Sequence, residues 1–143
     1  MESPLPIDVR ADLRHLGGMS LWTPRTWTAL AALAGFASVA AGAFAAHGID
    51  DPSAREWLRT GSTYGFVHVL ATLACLPLMA AGARRARLAP GFFLTGVALF
   101  SGSLYAMALG GPRWLGAITP VGGVLFLVGW AVIAWAALEL DRA

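Results

Sequence analysis

Charged residues along this chain are confined to a few short stretches, and the segments between them are apolar. No Asp, Glu, Lys or Arg lies between Arg25 and Asp50, Arg59 and Arg84, Arg87 and Arg113, or Arg113 and Glu139. Each gap slightly exceeds the roughly 20 residues that carry a helix across a ~30 Å hydrocarbon core. A membrane barrel would show ~10-residue segments of alternating polarity, and none is visible. The pattern predicts an all-α integral membrane protein. Its four transmembrane helices are expected over about 26–47, 62–82, 91–111 and 116–138, packed as one antiparallel bundle. Each backbone N–H in lipid must find its partner within its own helix, so the windows must be long and uninterrupted.

The connections support this division. Gly82 to Pro90 is a short arginine-rich turn, and Gly110-Gly111-Pro112 breaks the chain before the fourth window. Asp51 followed by Pro52 reads as a helix cap with proline in the first turn. Trp57 and Leu58 alternate with Arg55, Glu56 and Arg59, which predicts a short interfacial helix between helices one and two, ended by Gly61. Residues 1–25 read as a flexible cytoplasmic tail, with Met19 as an alternative start, and residues 139–143 as a cytoplasmic C-terminus. Ala41-Gly42-Ala43 has the look of a signal cleavage site. The window is too long for a signal core, however, and 25 residues precede it, so helix one is read as retained.

Composition narrows the class. Of 143 residues, 57% are apolar and 13% charged, against about a quarter charged in soluble domains; the mean hydropathy is +0.66. A soluble globule of this size needs more polar surface, which excludes an ordinary cytosolic enzyme, a disordered chain and a nucleic-acid binder. The ten basic residues are all arginine, which points to G+C-rich coding rather than a basic patch, and Cys75 is the single cysteine. With the N-terminus inside, Arg10, Arg14, Arg25, Arg84, Arg85, Arg87 and Arg142 lie on the inner side and Arg55, Arg59 and Arg113 on the outer. Arginine bias therefore places both termini in the cytoplasm, and the expected location is a bacterial inner (cytoplasmic) membrane. The tryptophans read as an interfacial aromatic belt.

Helices in lipid associate through close backbone contact. Helix one carries Ala34, Ser38, Gly42 and Ala46 at every fourth position, and helix three carries Ala98, Gly102, Ala106 and Gly110. Helix four adds Gly122, Gly123 and Gly129. Ser38, Gly42, Gly102, Ala106, Gly122 and Gly123 are the expected packing positions, either within the chain or, for one stripe, against another subunit.

Gly42-Ala43-Phe44-Ala45-Ala46-His47-Gly48 resembles a signature of the domain-of-unknown-function 423 family, which includes the transmembrane protein 256-like proteins. Thr60-Gly61 with Tyr64 and His68, Phe100-Ser101-Gly102-Ser103-Leu104-Tyr105, and Trp114 to Gly123 extend the resemblance over roughly residues 28 to 138. It implies a multi-spanning membrane protein and no particular reaction. One departure is Gly65, where the family usually carries glutamine after the tyrosine.

Placed by depth, His47, Tyr64, His68, Ser101, Ser103, Tyr105 and Thr119 all map to the outer half of the bilayer or near its middle. Polar groups there usually face the bundle interior. They are expected either to pair, His68 with Ser103 or Tyr105 and Thr119 with a nearby carbonyl, or to form a small site open to the outer face. Two histidines are too few for a closed zinc site. His47 and His68 also differ in depth by roughly 10 Å, which disfavours a shared haem. No catalytic residue, metal or other cofactor is expected; metal, haem or quinone binding is the alternative. The expected partners are the lipid bilayer and other membrane subunits or copies of the chain. The functional expectation is a structural or accessory subunit, with a small-solute transporter or channel, or a redox or ligand-binding protein, as alternatives.

Overall fold

The computed structural model describes residues 23–140. Among the described residues, four helices are long and apolar enough to cross a membrane. They are α1 (Pro24–His47), α2 (Pro52–Ala80), α3 (Ala89–Ala108) and α4 (Thr119–Ala137), with 3-10 turns at Arg84–Leu88 and Arg113–Ala117 leading into α3 and α4. Most of the expected tail lies outside the described residues. Its last residues belong to α1, because the Thr23 hydroxyl accepts the Thr26 amide (3.2 Å) and Pro24 occupies the first turn. Asp51 caps α2 in the same way, accepting the Ala54 amide at 2.7 Å. After α2 and α3 the chain turns through Gly82 (φ 104°) and Gly110 (φ 92°), a left-handed conformation that favours glycine.

The separate interfacial helix does not exist. Residues 52 to 80 form one unbroken helix of 29 residues that runs through Gly61. Gly61 is not a stop signal: a Cβ there would lie 2.6 Å from the Tyr105 ring, so the glycine lets α3 lean its tyrosine onto α2. The membrane-spanning helix simply projects beyond the apolar window at its polar end.

Consecutive helices pack side by side, and α1 also reaches α3, but no contact joins α1 to α4. The result is an open, folded row in which α3 is the most enclosed helix and α1 and α4 the least. At the end holding the 84–88 turn, Trp27, Cys75, Ala86, Phe93, Val97, Phe126 and Ala136 form the larger core. Ala45, Ala54, Leu58 and Ala108 form a smaller one at the other end. Glu139 clips the turn to the end of α4. It accepts the Arg85 amide (3.0 Å) and pairs with the Arg85 guanidinium (3.2 Å), which lies over the Trp135 ring.

Glycine governs the α3–α4 contact. A Cβ on Gly122 would lie 2.5 Å from the Phe100 backbone nitrogen and 2.9 Å from the Gly96 carbonyl oxygen. Gly96 and Gly129 accommodate the Phe126 and Phe93 rings. On α1, Gly42 makes room for the Ser62 hydroxyl (2.8 Å from its missing Cβ). Ala106 closes the end of α3, its carbonyl accepting the Gly111 amide at 2.8 Å. Two expected packing positions differ. Gly123 is only in ordinary contact with Phe100, at 3.9 Å, and Gly102 would meet nothing within 4 Å, because its face of α3 points away from both neighbours.

Gly122→Ala is therefore expected to lower unfolding stability by about 1–3 kcal/mol through backbone overpacking. Gly102→Ala, facing open space, should stay within ~0.5 kcal/mol of wild type. Denaturant titration in detergent micelles measures both, and equal effects at the two positions would refute the assigned packing.

Candidate functional site

His68 sits 12 residues before the end of α2 at Ala80, about 18 Å along the helix axis and deep in the hydrocarbon. Its Nδ1–H donates to the Tyr64 carbonyl one turn back (2.7 Å). Its Nε2 accepts from the Trp130 indole N–H of α4 (3.2 Å). A carbonyl only accepts and an indole N–H only donates, so the neutral Nδ1–H tautomer alone satisfies both partners. The imidazole lies flat on the Phe126 ring, with centroids 3.5 Å apart and planes within 6°. Phe93 closes it from α3 at 5.6 Å.

This bond is the polar tie across α2 and α4, which otherwise barely meet. Beside it the two helices leave a groove of about 400 Å³ lined by Thr63, Tyr64, His68, Gly123, Phe126 and Trp130, among others. Tyr64, 48% exposed, stands at its wall. The groove is apolar and aromatic, within the size range of small-ligand sites.

The hydroxyls of Ser38, Ser62, Ser101, Ser103, Tyr105 and Thr119 lie elsewhere. Between α1, α2 and α3, Ser62 donates to the Ser38 carbonyl (2.6 Å) and Ser101 to the Gly61 carbonyl (2.7 Å), while Ser38 bonds back to Ala34. The Ser38 and Ser101 hydroxyls crowd Gly65, at 2.5 and 3.0 Å from where its Cβ would stand, and Tyr105 Oη is 3.5 Å from the same point. Tyr105 Oη is enclosed there without a well-formed hydrogen bond. The space a side chain at position 65 would enter is thus filled by hydroxyls from two neighbouring helices, which gives a physical reason for glycine here. Toward the 113–117 end, Ser103 and Thr119 share a hydrogen bond (2.7 Å) that ties α3 to α4. His47 is exposed at the last position of α1.

The sequence-predicted residues therefore do not form one cluster. His68 pairs with neither Ser103 nor Tyr105, and Thr119 bonds across helices rather than to a carbonyl. His47 and His68 lie apart: one is at a helix end and the other is enclosed with both ring nitrogens hydrogen-bonded. Among the described residues no three His, Cys, Asp or Glu side chains gather closely enough to hold a metal ion. Sequence reasoning missed Trp130, which it assigned to the interfacial belt. The signal was present: Trp130 lies 11 residues into α4 and about 10 Å before its end at Ala137, inside the apolar window.

An interior built this way defines a multi-pass membrane protein whose polar groups serve helix contacts. The chain belongs to the family described as "Protein of unknown function (DUF423)", whose profile matches residues 41–123. It is 42% identical over 113 residues to a UPF0382 membrane protein of Haemophilus influenzae, covering 77% of this chain and 91% of that one. It is 41% identical over 127 residues to the UPF0382 inner membrane protein YgdD of Escherichia coli K12, covering 84% and 95%. A UPF0382 membrane protein of Staphylococcus epidermidis is 38% identical over 113 residues, covering 77% and 93%. No solved structure matches the chain.

A double-mutant cycle of His68→Phe and Trp130→Phe should give a coupling energy of about 0.6–1.7 kcal/mol, the range for interhelical bonds in membranes. Nitrogen NMR of the imidazole at neutral pH should show Nδ1 protonated and Nε2 bare. The opposite tautomer would contradict the geometry.

Proposed function

We propose that the chain is a small subunit of a bacterial inner membrane that works by packing against copies of itself or beside a larger membrane protein. The observation that carries this reading is the bare face of α3. Gly102 opens onto nothing among the described residues, and Ala98, one turn earlier, is exposed. Small residues four apart let a helix from another molecule approach as closely as α4 does at Gly122. The engaged state of most interior polar groups supports the same reading: His68, Ser101, Ser103 and Thr119 each hydrogen-bond within the chain, while Tyr105 Oη does not. The relatives' description as inner membrane proteins supports the location. Arginine bias supports cytoplasmic termini: Arg25, Arg84, Arg85 and Arg87 lie at the end where the chain enters and leaves the bundle, and Arg55, Arg59 and Arg113 at the other.

The α2–α4 groove favours a second reading, a binding site for a flat hydrophobic ring such as a quinone, stacked against Phe126 and Trp130. Saturable quenching of indole fluorescence by a short-chain quinone, lost on Gly123→Leu, supports it; unsaturable quenching counts against it.

Gly102→Leu and Ala98→Leu are expected to abolish the higher-mass species of the wild type on native gels in mild detergent. Each should leave unfolding stability within ~0.5 kcal/mol of wild type. A wild type that runs as a lone monomer from native membranes would sink the packing role.

A further inference from the structure

We infer that the cavity between the start of α1 and the end of α2 binds the phosphate of an anionic phospholipid. This cavity of about 270 Å³ is lined by Pro24, Trp27, Met79, Arg87 and Leu88. It sits where the apolar windows end, at the level of lipid headgroups. Its lining is divided by chemistry. Trp27, Met79 and Leu88 form an apolar wall suited to the first carbons of an acyl chain, and the Arg87 guanidinium stands beside them.

Charge at this end matches an anion. Among the described residues it carries Arg25, Arg84, Arg85 and Arg87 against Glu139, which is already paired with Arg85. Arg87 makes no ion pair with any described residue. A guanidinium presents a planar fork of donors that fits two phosphate oxygens. Free phosphate would use the guanidinium but leave the apolar wall idle, whereas a phospholipid uses both. The site is separate from the bare α3 face and from the α2–α4 groove, so it holds or fails independently of the proposed packing role.

The test is native mass spectrometry of the protein released from nanodiscs containing equal phosphatidylglycerol and phosphatidylethanolamine. Preferential retention of phosphatidylglycerol is expected. Arg87→Gln should reduce that retention about five-fold, the scale of one arginine contact to an anionic headgroup. Arg84→Gln, which replaces an arginine outside the cavity lining, should leave it nearly unchanged. The Arg87 side chain is exposed and makes no hydrogen bond to the described residues, so the variant should fold; an unchanged melting temperature checks this. Equal retention of the two lipids, or equal losses in the two variants, would overturn the assignment. Displacement of the lipid by excess inorganic phosphate would show a site for the free anion and overturn it as well.

Discussion

How near α4 stands to α3 is set where Gly122 rests against the backbone of Phe100 and Gly96. In lipid the two helices gain little from hiding apolar surface, so their association rests on dispersion and hydrogen bonds that act only at short range. One missing side chain therefore has consequences along the whole of α4. One turn on, Phe126 reaches over Gly96 and lies against His68. A further turn brings Trp130 to the imidazole Nε2. At the near end of the same face, Thr119 meets Ser103. Wider spacing would leave an indole N–H, an imidazole nitrogen and the Thr119 hydroxyl each without a partner and each costly, while Ser103 would keep its bond to the Phe100 carbonyl.

The number of spans and their rough limits were legible because charge is excluded from hydrocarbon, and the charge gaps reach almost to the observed helix ends except at the start of α2, which carries Arg55, Glu56 and Arg59 beyond its gap. The helix caps at Asp51 and the turns at Gly82 and Gly110 were legible for local reasons. What the sequence concealed depends on which helix face meets which. Gly61 reads as a stop by the rules of water-soluble chains, yet in α2 it is a contact for the Tyr105 ring. Gly102 and Gly122 look equivalent as letters and differ completely in surroundings. The polar residues were grouped by depth, but depth leaves rotation about the helix axis free. Rotation is what sends His68 toward α4, Ser101 toward α2 and Ser103 toward Thr119.

Gly65 shows how a departure from the family resemblance is absorbed. Its place between two serine hydroxyls and a tyrosine means that α1, α2 and α3 close on one another through side chains other than that of residue 65. The row of helices is otherwise asymmetric. Its inner contacts are tight and polar, while α1, α4 and the outer face of α3 present apolar surface to the surroundings.

The most direct test of the central spacing is solid-state NMR of the ¹⁵N-labelled protein in bilayers, read as the contact between Trp130 Nε1 and His68 Nε2. The expected result is a hydrogen-bond-range contact in the wild type that disappears in Gly122→Leu. A contact that survives this substitution unchanged, or an indole N–H free of the imidazole in the wild type, would contradict it.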